Sequence, residues 1–277
     1  MDNILTIDLE EWYHPEYVRN KAQRRRKERI TQSLIKSLQL LSEYDVNATF
    51  FVVGELVEKH PEIIEKINEK GHEIAFHGYY HEPLWKLNAE ILQLEIKKFN
   101  SLTREKCLGF RAPSFSLNNE TRWALKVLED AHFIYDSSIF PVKTPLYGVN
   151  GAPIEPYNPS HEDVTQKNDS EDLWEFPLLL YPLMGFRIPM AGGFYLRLFP
   201  VSLVKRAIKK MNKHGAPAVI YVHNWELDPQ TPKLKLRLYN SFVTYYNISK
   251  TVKKLQNMLS NFDFKSLREY VETEGLT

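Results

Sequence analysis

Short apolar runs alternate along the chain with longer segments in which apolar residues recur every three or four positions. Residues 3–8 (NILTID), 48–53 (ATFFVV), 73–77 (EIAFH), 108–111 (LGFR) and 218–223 (AVIYVH) are rich in β-branched or aromatic side chains, which predicts strands. Between them, residues 28–42, 61–70, 88–103, 120–132 and 201–213 carry the helical period. In the first of these, Ile30, Leu34, Leu38 and Leu41 form one apolar stripe. Gly71 and Gly215 follow helical runs and mark stops. Strands alternating with helices predict an α/β fold, a parallel sheet with helices outside it. Two stretches depart from this rhythm. Residues 141–172, rich in Pro, Gly, Asn, Asp and Ser, predict a long loop or small excursion beside the sheet. Residues 234–259 predict one long helix whose Tyr239, Phe242, Val243 and Tyr246 pack on the barrel.

Composition narrows the picture. At 277 residues the chain fits one large domain, such as an α/β barrel, or two small ones, and 43% hydrophobic residues supply a sizeable core. A net charge of +1 creates no global field for gathering nucleic acid or an anionic membrane. Cys107 is the only cysteine, which excludes an intrachain disulfide and a zinc ribbon. The N-terminal segment lacks the basic start and apolar core of a signal peptide, and TFFVV and AVIYV are too short to span a bilayer. The expectation is a cytoplasmic protein without a transmembrane segment; homo-oligomerisation stays open. The basic run from Arg19 to Arg29 reads as a solvated helix face, with a patch for a phosphate-bearing or anionic substrate as its rival.

The chemistry-bearing residues cluster just after predicted strands, the end where α/β folds bind ligands. In TIDLEEW the period of two puts Asp8 and Glu10 on one face of a continuing strand. In HGYYH, His77 and His81 can converge on one metal, and two imidazoles plus a carboxylate leave positions open for water, as in a catalytic Zn²⁺ site. In RAPSF, Arg111 can brace a carboxylate through its fork of donors. In VHNWELDP, His223 stands at a strand end and can donate a proton. Each motif alone also fits a solvated turn, a satisfied histidine or a surface ion pair. Their order and shared placement at strand ends make the joint case.

That order resembles the polysaccharide deacetylases, the NodB-homology group of carbohydrate esterases (family 4). The counterparts of the family's four motifs are TIDLEE, HGYYH, RAPSF and YVHNWELDP, spanning about residues 3–230. Three departures stand out. Leu9 takes the place of the usual second aspartate and the acid moves to Glu10; Gly78 replaces a Ser or Thr; Ser114 displaces the aromatic after Pro113 by one. The D-x-E form, AGGFYLR (191–197) and VHNWELDP look most like the exopolysaccharide-associated branch.

The resemblance implies a distorted (β/α) barrel of about seven parallel strands, with residues 1–277 as one catalytic domain, the excursion at 141–172 and a C-terminal helical extension at 233–277. It implies metal-dependent removal of N-acetyl groups from an amino sugar in a polysaccharide, oligosaccharide or glycan precursor. Carried over, Asp8 is general base, Glu10, His77 and His81 are metal ligands, Arg111 orients Asp8, and His223 is general acid tuned by Asp228 or Glu226. Glu11 competes with Glu10, strand parity favouring Glu10. Trp12, Tyr80, Pro113, Phe115, Asp136 and Trp225 are candidates for substrate contact, with 174–177 as further wall. Zn²⁺ is the first choice of metal, ahead of Co²⁺, Ni²⁺ or Mn²⁺. A cyclic-imide or small-amide hydrolase and a non-catalytic carbohydrate-binding protein are the rival readings. His14 reads as structural, and His60, His72, His132, His161 and His214 as surface residues without partners.

Overall fold

The computed structural model describes residues 1–22, 27–104 and 106–276. Its strands are β1 (Asn3–Leu9), β2 (Thr49–Val52), β3 (Glu73–Phe76), β4 (Gly109–Phe110), β5 (Tyr135–Asp136), β6 (Trp174–Glu175), β7 (Leu180–Leu183), β8 (Phe186–Pro189), β9 (Val219–His223) and β10 (Phe264–Lys265). Seven run parallel in the order β9-β1-β2-β3-β4-β5-β6, and β10 pairs in parallel with the start of β1. The result is a curled half-barrel. Irregular chain spans the gap between β6 and β9: the Leu179 N–H donates to Val219 O at 3.1 Å and the Tyr221 N–H to Ala191 O at 3.0 Å.

Both faces of this sheet are covered, and every residue of β1 is buried. On the outside, the helix Ile30–Glu43 turns its predicted stripe inward, with Ile30, Leu34, Leu38 and Leu41 buried. Its N-terminus is satisfied from a distance. The Glu11 carboxylate accepts from the N–H groups of Arg29 (2.6 Å) and Ile30 (2.9 Å), and Arg29 itself makes no side-chain cap.

Register delivers the site. Asp8 lies opposite His223 on β9 and Phe51 on β2; Val52 lies opposite Phe76, and Phe76 opposite Phe110. His77 and Arg111, each one residue beyond its strand, therefore emerge on the same rim as Asp8. At Gly78, φ is +69° and a Cβ would sit 2.9 Å from Pro113 Cγ, so a Ser or Thr is excluded there.

Several elements differ from the sequence-based expectation. The strands β5, β6 and β10 are two residues long, too short to show a period. The hairpin β7–β8 turns at Met184 and Gly185, both at positive φ, as a tight hairpin turn requires. Residues 234–259 are not one helix. Asn247, at φ +51°, separates Leu238–Tyr245 from Thr251–Leu259. Tyr239, Phe242 and Tyr246 are exposed, and Thr244 is the buried residue of the first piece. Beyond these helices the chain returns to the sheet as β10 and ends in the helix Leu267–Glu274. No helix among the described residues is long and apolar enough to cross a membrane.

Asp136, expected to contact substrate, lies buried inside the barrel wall. It is fully buried against Glu175, and the Ser138 hydroxyl donates to it. Burial pushes its carboxyl up from 3.8 to about 6, against the opposing hydrogen bonds of Glu175 and Ser138, and drives Glu175 higher still. A carboxyl raised on folding stabilises the native state below its unfolded pKa and loses that contribution as pH rises through the folded one. Thermal melts should show wild type losing stability relative to Asp136→Asn, which keeps the acceptor for Ser138, as pH rises from 4 through about 6. The loss should be on the order of 1–3 kcal/mol. A pH-independent gap between the two proteins would contradict the raised carboxyl.

Candidate active site

Arg111 is the centre of the rim. Completely buried, it donates from Nη1 to Asp8 Oδ1 and Thr6 Oγ1, both at 2.7 Å, and from Nε and Nη2 to the Ser137 carbonyl (2.9 Å) and hydroxyl (2.8 Å). Its guanidinium carbon lies 4.1 Å from the centre of the Phe51 ring. Thr6 and Asp8 share one face of β1 by the period of two, which lets one guanidinium reach both.

Glu10 continues that face. Its Oε2 lies 2.7 Å from His81 Nε2, and its Oε1 accepts from the Trp225 indole N–H at 2.9 Å. Burial resists its charge, yet His81, His223 and His14 together hold the carboxyl well below the usual range. His77 is pinned through Nδ1 by the Arg111 carbonyl at 2.8 Å, and burial lowers its pKa to about 4, keeping the ring neutral. One ligand atom from each of Glu10, His77 and His81 lies within 4.8 Å of the others, and all three residues are buried.

These residues fit a divalent cation. Glu10 Oε2 is buried and makes no hydrogen bond despite facing His81 Nε2, an orphaned acceptor aimed at a shared point. The donor set, two imidazoles and one carboxylate with a backbone carbonyl behind His77, is that of an open Zn²⁺-type site. Glu11, the competitor, points away to cap the helix Ile30–Glu43, and burial raises its carboxyl to about 7 against those N–H contacts.

His223 faces Glu10 across the site, with Nε2 3.7 Å from Glu10 Oε1. Its Nδ1 lies 3.1 Å from Glu226 Oε2, whose other oxygen is 2.8 Å from Arg197 Nε. Burial works against a charged imidazole here, but Glu226 outweighs it and lifts the pKa to about 9. Of the two acids proposed to tune it, Glu226 is in place. Asp228 instead binds Arg29 Nε at 2.7 Å.

Asp8, Glu10, His77, His81 and His223 line one cleft, walled by Tyr17, Phe115, Tyr147 and Tyr221. Of the expected substrate contacts, Phe115 lies there. Trp12 is sequestered in a second apolar cluster with its indole N–H on the Lys27 carbonyl. Trp225 is buried behind the site, stacked on His223 at 5.0 Å. Pro113 is buried against Gly78, Tyr80 is half exposed beside Tyr79, and Trp174 borders a different hollow.

His14 is buried, stacked on His81 at 5.4 Å and 3.3 Å from Glu55. His72 is buried as well, and His161 lies 3.1 Å from Glu129, so neither is the unpartnered surface residue expected. Sequence reasoning missed Arg197, Thr6, Ser137, Tyr17, Tyr147 and Tyr221. Strand parity with Asp8 and His223 signals Thr6 and Tyr221; nothing local signals the others. In the basic run, Arg19 bonds the carbonyls of Tyr80 and His81, while residues 23–26 lie outside the described residues.

Two family models match the chain. Residues 29–130 match the one described as polysaccharide deacetylase, and residues 137–272 one described as a domain of unknown function, DUF3473. His77, His81 and Arg111 fall in the first, His223, Glu226 and Arg197 in the second. The chain is 32% identical over 134 residues to a peptidoglycan deacetylase-like protein, FGM2, of Gibberella zeae, covering 47% of this chain and 36% of that protein. It is 35% identical over 96 residues to a peptidoglycan-N-acetylglucosamine deacetylase of Bacillus cereus, covering 32% and 34%. The matches span about a third of the length of these curated relatives. A crystal structure of a putative polysaccharide deacetylase from Mycobacterium smegmatis superposes with a TM-score of 0.62 at 20% identity, covering 99% of this chain and 91% of that one, which shows a shared fold.

Zinc titration of metal-free protein distinguishes the neighbouring acids. Glu10→Ala should abolish tight binding, whereas Glu11→Ala should keep it and lose about 1 kcal/mol of stability with its helix cap. Zinc retained by Glu10→Ala and lost by Glu11→Ala would reverse the assignment.

Proposed function

From the match of residues 29–130 to the polysaccharide deacetylase model, we propose that the chain hydrolyses N-acetyl groups on an amino sugar of a polysaccharide, oligosaccharide or glycan precursor, releasing acetate. The observation that carries this reading is the convergence in one cleft of Asp8 braced by Arg111, the Glu10–His77–His81 donor set and a cationic His223. An amide is a poor electrophile with a poor leaving group, so its hydrolysis needs a base for water, stabilisation for the oxyanion and an acid for nitrogen. The cleft offers a group for each.

A divalent cation, Zn²⁺ first, held by Glu10, His77 and His81, would supply Lewis-acid polarisation and acidify water. Asp8 takes the proton of the attacking water. Arg111 fixes its carboxylate in place and occupies Oδ1, which directs the remaining basicity towards the cleft. His223, protonated at neutral pH through its pairing with Glu226, gives its Nε2 proton to the departing amine. Tyr221 and Phe115 close the wall around the acetamide and limit water to the attacking molecule. The family members named above act on peptidoglycan or are named for it, which supports an N-acetylated glycan as the substrate class.

Acetate release from N-acetylglucosamine oligomers is the test. Wild type should release acetate, and a chelator should stop the release reversibly. Asp8→Asn should keep its metal and lose turnover by at least about a hundredfold, the scale of a general base. Full activity of Asp8→Asn would remove the residue from the mechanism, and stoichiometric metal without acetate from any glycan would move the site to another class of amide.

A further inference from the structure

The helix Leu238–Tyr245 and its C-cap Tyr246 present an unusual surface. Tyr239 (52%), Phe242 (45%) and Tyr246 (37%) are exposed at spacings of three and four, along one side of a helix. Aromatic rings at the surface of an otherwise well-filled molecule carry a cost in apolar exposure. These rings also do not float free. Phe242 packs edge to face on Phe194 at 5.4 Å and against Tyr246 at 4.8 Å, and Tyr239 packs edge to face on Tyr17 at 6.0 Å.

Tyr17 is the link, because it lines the cleft. A second path runs inside: Tyr221, Phe115, Tyr147, Phe140, Tyr195 and Phe194 follow one another at centroid distances from 5.1 to 5.8 Å. The exposed ridge is thus continuous with the wall of the cleft. The helix is also held rigidly. Buried Arg197, which pairs with Glu226 behind His223, donates to the carbonyls of Val243 (2.9 Å) and Tyr246 (2.7 Å) at the helix end.

We propose that Tyr239, Phe242 and Tyr246 form a distal subsite that stacks on sugar rings lying beyond the ring whose acetamide enters the cleft, so that the substrate is a glycan chain and not a single sugar or disaccharide. This rests on the glycan reading of the cleft. The C–H faces of a pyranose lie flat on aromatic rings, which give broad apolar contact at little entropic cost because they are already packed. From Tyr239 to Tyr246 the helix rises about 10 Å, enough for more than one ring. A lipid surface is the rival occupant, with protruding Leu238 (91% exposed) beside Arg237. The prefixed tyrosine platforms and their continuity with the cleft favour sugar.

The test uses the full chain carrying Asp8→Asn, so that ligand survives, and calorimetry with N-acetylglucosamine dimer and hexamer. The hexamer should bind more tightly than the dimer, and adding Tyr239→Ser with Phe242→Ser should weaken the hexamer about tenfold or more, at roughly 1 kcal/mol per ring. Adding Tyr239→Phe with Phe242→Tyr, which keeps both rings, should restore it and guards against misfolding. Equal affinity for dimer and hexamer, or a hexamer affinity indifferent to the serines, would overturn the proposal. So would sedimentation with phosphatidylglycerol vesicles that the serines abolish, in the absence of ring-dependent hexamer binding. Acetate release by the otherwise wild-type chain is scored separately. Its absence with ring-dependent binding intact would remove the hydrolase reading and leave the subsite; its presence at equal kcat/KM on both lengths would do the reverse.

Discussion

A buried guanidinium sets the terms for everything around it. Arg111 is stripped of water, and a charge in that position is tolerated only when its donors are matched and its counter-charge is close. Asp8, Thr6 and both the carbonyl and hydroxyl of Ser137 meet that condition, and in doing so they lock the end of β1 to the end of β4 and to the turn after β5. The same contacts hold Asp8 in one orientation, so the requirement that stabilises the rim also prepares its carboxylate for chemistry.

The other buried charges of the rim follow the same rule, each balanced locally. Glu10 accepts from the Trp225 indole at one oxygen and faces His81 with the other, and Glu226 is matched by His223 and Arg197. His77 and His223 shift in opposite directions for this reason. His77 has only a carbonyl at its inner nitrogen and stays neutral, suited to donating a lone pair; His223 has a carboxylate there and stays cationic, suited to donating a proton. One cleft thereby holds an electron-pair donor and an acid of the same residue type.

The chain assembles this cleft from distant pieces. The segment matching the deacetylase model supplies His77, His81 and Arg111, and the segment matching the model of unknown function supplies the acid, its carboxylate and the arginine behind them. Arg197 ties the latter group to the carbonyls at the end of the helix Leu238–Tyr245. In this structure the second segment is part of the site and extends its wall outward.

What the sequence determined by itself were features with a local physical signature. The apolar stripe of Ile30, Leu34, Leu38 and Leu41 fixed a buried helix face, and alternating strands and helices fixed a parallel sheet whose rim gathers Asp8, His77, Arg111 and His223. The period of two also set Glu10, and not Glu11, on the face of Asp8. Tertiary structure decided what no window of neighbouring residues encodes. Only packing shows that Glu11 caps a helix that starts at Ile30, that Glu226 prevails over Asp228 because Arg29 has claimed the latter, and that Asp136 shares its burial with Glu175. Trp12 and Trp225 illustrate the limit: adjacency to a motif suggested the cleft, while burial of a large indole and the need to satisfy its N–H sent both elsewhere. Hydrogen-bond matching inside a low-dielectric interior is a pairing problem, and its solution depends on residues as distant in the chain as Glu10 and Trp225, 215 positions apart.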